Sequence, residues 1–193
     1  MQRITGILLA AGSGTRFGGN KLLASLDNGV AVGVKSVRQL RSVLEEVVVV
    51  IRPADADLQR LLAGESVILV PCPRAHEGMG ASLACGIAAA HAADAWLIAL
   101  ADMPYISTPT LQQLAGALQA GRELVAPVYS GQRGHPVGFS SDYRTELLAL
   151  PKTGGARSVL TRYENRITLV ATNDPGILHD IDEQSDLPSP ATS

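Results

Sequence analysis

A chain of 193 residues, 46% apolar and 4% aromatic, holds enough material for one well-buried α/β domain and not for two. Its formal charge of −2, with no Lys/Arg block, excludes a nucleic-acid groove and a basic membrane patch. No apolar run reaches the roughly 20 residues of a membrane span, and no charged segment precedes the first apolar stretch, so the expected location is cytoplasmic.

Strand and helix signals alternate along almost the whole chain. Ile4 to Leu9 reads as a first strand and is followed by the glycine-rich loop Leu9-Ala10-Ala11-Gly12-Ser13-Gly14-Thr15-Arg16-Phe17-Gly18-Gly19-Asn20-Lys21. Val34, Val37, Leu40, Val43 and Leu44 recur at helical spacing. Val47 to Ile51 is continuously apolar, as a strand covered on both faces should be. A helix over 54–62, a strand over 67–70 and an alanine-rich helix over 82–91 come next, the last with Ser82 as its N-cap. Trp96 to Leu100 is a buried strand that ends at Asp102. Thr108-Pro109 has the form of a helix start, with the helix running to about residue 120. Strands are predicted at 124–128, 137–139 and 167–170, and helices at 142–150 and 156–163. The domain is expected to span residues 1–187, with 188–193 a frayed tail. Cys72 and Cys85 lack metal-ligand spacing and read as small core or surface thiols.

Repeated strand–helix units imply a mostly parallel sheet with helices on both faces, which binds ligands at the carboxyl ends of its strands. The glycine loop and Asp102 both follow strands and so fall on one rim. Glycines at 12, 14, 18 and 19 let backbone N–H groups approach a ligand, and Arg16 and Lys21 add cations, an arrangement suited to a polyphosphate. The loop matches neither G-x-G-x-x-G, because Phe17 stands where glycine is needed, nor the P-loop, because Asn20 separates Gly19 from Lys21.

Asp102 is the strongest acidic candidate, read as a Mg²⁺ ligand against the plainer alternative of an N-cap or ion pair. Asp182, in Asp180-Ile181-Asp182, would complete a metal site with it; a solvated acidic turn is the competing reading. Gly78-Met79-Gly80-Ala81-Ser82-Leu83 is a second glycine-rich turn on the same rim, with Gly80 and Ser82 candidates for base or ribose contact. Arg133 and His135, in a loop between two strands, are candidates for the acceptor side. His76, His91 and His179 are assigned to surface or packing. No nucleophile elbow appears, and nucleotidyl transfer needs none, being driven by positioning and charge neutralisation.

These residues together resemble the molybdenum cofactor nucleotidyltransferases, in particular their cytidylyltransferase branch. The matching pieces are the opening loop, the Gly78–Leu83 turn, Leu100-Ala101-Asp102-Met103-Pro104, Arg133-Gly134-His135-Pro136-Val137-Gly138-Phe139, Gly155-Ala156-Arg157, and Asp180-Ile181-Asp182 ahead of Asp186-Leu187. The resemblance implies a Rossmann-like three-layer nucleotide-diphospho-sugar transferase fold with a mostly parallel mixed sheet. It also implies Mg²⁺-dependent transfer of CMP from CTP to the terminal phosphate of molybdopterin, with loss of pyrophosphate, and contact with a recipient molybdoenzyme. Carried onto this chain, Arg16 and Lys21 would hold the triphosphate, and Asp102 and Asp182 the metal. Leu9, Ala10, Ala11, Gly12, Gly14, Gly80 and Ser82 would contact the nucleotide, while Arg133 and His135 would face the pterin. The guanylyl branch usually has glycine where Ala11 stands, so the alanine methyl points to CTP. Relatives often carry glycine–aspartate where this chain has Lys152-Thr153. Another phosphorylated acceptor, a GTP-using homologue, or a non-catalytic binder of the cofactor are the alternatives.

Overall fold

The computed structural model of the chain describes residues 2–12, 14, 17–151 and 154–187. Arg16, the Lys152-Thr153 pair and the 188–193 tail lie outside them. Four parallel strands form one half of the sheet: β1 (Ile4–Leu9), β2 (Glu46–Ile51), β3 (Ile68–Pro71) and β4 (Ala95–Leu100), in the order β3-β2-β1-β4. The apolar runs of β1, β2 and β4 suit this placement, since a strand covered on both faces has no solvent side to fill with polar residues. β5 (Leu124–Tyr129) turns through β6 (Gln132–Arg133) into β7 (Val137–Ser140), which inserts antiparallel between β4 and β5. β8 (Ile167–Ala171) closes the sheet, parallel to β5. The sheet is therefore mixed and mostly parallel, as the alternating strand and helix signals predict.

Helices cover both faces. α1 (Val32–Arg41), α2 (Ala56–Leu62) and α4 (Thr108–Gln119) pack on one side, where Leu8, Val47, Val49 and Leu97 meet Val37, Leu58 and Leu114. α3 (Met79–Ala89), α5 (Arg144–Leu148) and α6 (Ala156–Arg162) cover the other, where Ile7, Val48, Val50 and Ile98 meet Leu83, Leu147 and Val159. Successive valines of β2 thus point to opposite cores, the period-two alternation of a strand.

Three local readings are corrected. α3 starts at Met79 and not at Ser82: Gly78 is the N-cap, at φ 128°, and Ser82 is a buried first-turn residue. Only glycine adopts that φ without strain, which is why the chain can enter the helix three residues early. α4 takes Ser107 as its N-cap, which moves Thr108 and Pro109 inside the first turn. Cys72 and Cys85 are not free thiols but a disulfide, their Cα atoms 6.0 Å apart. The sequence leaves core and surface both open for them; Cys72 is buried and Cys85 half-buried, and their meeting across a turn is not readable from spacing.

A remote carboxylate anchors the segment after β8. Asp174, only 8% exposed, accepts hydrogen bonds from the Ser107 and Gly176 N–H groups and the Thr110 hydroxyl. Burial opposes its charge, but these donors outweigh the burial and hold its pKa below the ordinary carboxylate value. Because the folded-state pKa lies below the unfolded one, folding favours the ionised form. The stabilisation is complete above about pH 4 and is lost as pH falls through the depressed folded value. Asp174→Asn turns an amide toward two donors and is expected to cost about 1–3 kcal/mol at neutral pH. Urea unfolding from pH 7 to pH 2 checks it: the gap between wild type and variant should close only below about pH 4.

Candidate functional site

The carboxyl ends of β1, β2 and β4 open on one rim, and a cleft of about 580 Å³ lies there. Leu9, Ala10, Ala11, Gly12 and Gly14 from the loop after β1 line it, together with Lys21, Ser82 and Asp102. Most of the nucleotide-side residues expected from sequence therefore share one cavity. Ala11 is 8% exposed, so its methyl group forms part of a packed wall.

Lys21 stands at the centre of the polar end. Asn20 accepts the Leu22 N–H at 3.2 Å and so caps the short 3₁₀ turn Lys21–Leu23, while buried Leu22 anchors that turn in the core. This is what the extra residue between Gly19 and the lysine does. The Lys21 ammonium lies 2.7 Å from Asp102 Oδ2 and 2.9 Å from Asp182 Oδ1. Burial works against its charge, yet the hydrogen bonds and charges of Asp102 and Asp182 outweigh burial and raise its pKa above the ordinary lysine value.

Asp182 reaches this point because the segment after β8 doubles back over the rim. Its path is set by close backbone approaches. A Cβ on Gly176 would fall 2.2 Å from the Tyr105 carbonyl oxygen, and one on Gly134 would fall 2.2 Å from that of Ile177. The His135 N–H donates to Ile177 O at 2.9 Å, and the Ile181 N–H donates to Asp102 O at 2.9 Å. Asp186 accepts the Asp182 and Glu183 N–H groups, each at 2.8 Å. Buried Ile181 points into the core between the two aspartates that flank it.

Carboxylate oxygens of Asp102, Asp180 and Asp182 lie within 4.8 Å of one another. Asp102 Oδ1 is buried and has no hydrogen-bond partner among the described residues. An orphaned carboxylate oxygen facing hard oxygen donors fits a small divalent cation. Asp180 belongs to this set although sequence reasoning singled out Asp182.

His135 is largely buried. Burial lowers its pKa, and Arg133 adds to that, against the opposing pull of Asp102 and Asp180, so its ring is neutral at pH 7. His135 and Arg133 are not among the residues lining the cleft. Gly80 does not line it either: a Cβ there would lie 2.4 Å from the carbonyl oxygens of Pro151 and Gly154, so its bareness serves packing against that loop. His179 is exposed and packs edge-on against Tyr105, ring centroids 5.0 Å apart. His76, also exposed, lines the cleft with Met79 and Arg52, which an assignment to surface or packing does not anticipate. Arg52, at the end of β2, is held by Asp55 through two hydrogen bonds at 2.8 and 3.0 Å. Its position at a parallel-strand carboxyl end was the signal that would have found it.

With this geometry in place, the comparisons with known proteins are consistent with one another. The family model described as MobA-like NTP transferase domain matches residues 6–167. The nicotine blue oxidoreductase of Paenarthrobacter nicotinovorans is 30% identical over 191 residues, covering 93% of this chain and 92% of that protein. The purine catabolism protein PucB of Bacillus subtilis (strain 168) is 31% identical over 190 residues, covering 93% and 91%. A solved nucleotidyl transferase from Methanothermobacter thermautotroptrophicus superposes with a TM-score of 0.81 at 26% identity, covering 95% and 94% of the two chains. The architecture is that of the nucleotide-diphospho-sugar transferases.

Gly134→Ala forces the hairpin and the returning segment apart and is expected to cost about 1–3 kcal/mol. Gly116→Ala, with open space around its Cβ in α4, should be neutral or stabilising by up to about 1 kcal/mol. Paired urea titrations of the two variants check the contrast.

Proposed function

We propose that this chain, which belongs to the family of MobA-like NTP transferase domains, transfers CMP from CTP to the terminal phosphate of molybdopterin and releases pyrophosphate. The observation that carries the reading is Lys21, which bridges Asp102 and Asp182 and lines the cleft with Ala10, Ala11 and Gly12. A triphosphate entering there meets loop amides and a charged ammonium that two carboxylates hold at the cleft. Lys21 neutralises phosphate charge, and Asp102 and Asp182 would hold Mg²⁺, with Asp180 beside them. The cation supplies charge neutralisation for the triphosphate and the leaving pyrophosphate when bound. Arg16, outside the described residues, would add a second cation to the triphosphate.

The acceptor phosphate, with a second pKa near 6, is already ionised at pH 7, so its oxygen can attack the α-phosphorus without a strong base. The P–O bond to the β-phosphate breaks and pyrophosphate leaves. His135, kept neutral by burial, and Arg133 would face the acceptor. Ala11, packed in the wall, narrows the base end for a pyrimidine; one methyl discriminates by about 1–3 kcal/mol.

Pyrophosphate release with Mg²⁺ and molybdopterin, offering CTP, GTP, ATP and UTP separately, tests the reading. Release with CTP is expected; release with GTP alone would overturn the base assignment, and none with any nucleotide would overturn the reaction. Asp102→Ala should nearly abolish turnover with the fold intact. Lys21→Ala should weaken CTP binding by about 1.5–3 kcal/mol. Ala11→Gly should raise GTP use relative to CTP, by about tenfold or more.

A further inference from the structure

The wall of the cleft opposite the glycine loop is one continuous turn, from the end of β3 to the first turn of α3. Ala75, His76, Gly78, Met79 and Ser82 all line the cavity from it. Cys72 and Cys85 bracket this turn and are bonded across it, thirteen residues apart. Cys72 continues the β3 register, its N–H donating to Ile51 O at 2.9 Å, and is fully buried. Cys85 lies in the second turn of α3 and is half-buried. Hydrogen bonds within the turn are short-range: Ala75 to Cys72, Glu77 to Arg74, Gly78 to Ala75, and the His76 ring with Pro73 O. The Arg74–Glu77 ion pair is also local. Such contacts shape the turn itself; Leu83 and Ile87 of α3 pack its far end on the sheet, and the disulfide adds a covalent tie from α3 to the strand that starts the turn.

We propose that Cys72 and Cys85 form a reversible thiol–disulfide site whose redox state sets the rigidity of this wall and, through it, the affinity for nucleotide. The nucleotide part rests on the reading of the cleft given above. In the reductive direction a thiolate of a small dithiol attacks Sγ of the more accessible Cys85, and Cys72 leaves as a thiolate that takes up a proton. The second thiol of the reductant then closes its own disulfide and releases Cys85 as a thiol. Two electrons pass from the dithiol to the protein. Glutathione disulfide reverses the change. With the bond closed, the wall has less freedom to lose when a ligand orders it, so binding is tighter without any new contact.

The full chain, equilibrated in oxidised glutathione or in dithiothreitol, tests this with three readings: thiols alkylated per chain by intact mass, hydrogen exchange over residues 73–82, and calorimetric binding of CTP with Mg²⁺. The oxidised protein should show no alkylated thiol and slow exchange. The reduced protein should show two alkylated thiols, faster exchange and CTP binding weaker on the order of tenfold. Cys85→Ser, with one thiol left, should match the reduced protein in exchange and in CTP binding in both buffers. Two reactive thiols persisting in oxidised glutathione, or identical exchange in both states, would overturn the proposal. Exchange that responds to redox while CTP binds neither state would sink the nucleotide reading and leave the lock in place.

Discussion

Lys21 holds two carboxylates that come from distant parts of the chain. Asp102 ends β4, in the middle of the sheet, and Asp182 lies on the segment that returns after β8. Two carboxylates set this close repel one another unless a cation stands between them. In the molecule as described that cation is the Lys21 ammonium, with side-chain exposures of 12%, 22% and 36% for Lys21, Asp102 and Asp182, low enough for solvent to screen the contacts only partly. The same pair of carboxylates, with Asp180 beside them, fits a divalent cation, and on the proposed reading Lys21 would then turn to phosphate. One constellation can thus serve the empty and the loaded site.

The fold supplies what this arrangement needs. Parallel β1, β2 and β4 put three carboxyl ends side by side, so the glycine loop, Arg52 and Asp102 face one cleft without any long-range coincidence in sequence. The antiparallel insertion of β7 then lays the Gly134–His135 loop against the returning segment, where glycines at 134 and 176 let backbones touch. Asp174 fastens that segment to the start of α4, and Asp186 fixes the amides on either side of the Asp182–Glu183 peptide. The position of Asp182 is therefore set both by contacts at the cleft and by the packing of the returning segment farther off.

Much of this was legible in the residues, and the exceptions have physical causes. Val47 to Ile51 reads as a doubly covered strand because a short run of five apolar β-branched residues favours a strand over a helix, and the structure puts it second from one edge with helices on both faces. The start of α3 misleads because Ser82 has a capping side chain, whereas the real cap, Gly78, works through its backbone angle and offers no side-chain signal. Cys72 and Cys85 pair through space across a turn, which spacing alone does not reveal. Gly80 reads in sequence as a base- or ribose-contacting glycine but is bare because two carbonyl oxygens crowd it. His76 has no distinguishing neighbours in sequence and becomes a wall residue only through the geometry of the turn.

The central claim is that Asp102 and Asp182, held together by Lys21, form a cation site completed by a nucleotide triphosphate. Electron paramagnetic resonance of Mn²⁺, used as a probe for the divalent cation, tests it most directly, with CTP added to wild type and to Asp182→Asn. The account predicts that, beyond the loss CTP alone causes, wild-type protein and CTP together deepen the loss of the free Mn²⁺ signal, and that the substitution largely removes this extra loss while circular dichroism stays unchanged. Equal Mn²⁺ binding by the two proteins in the presence of CTP would contradict it.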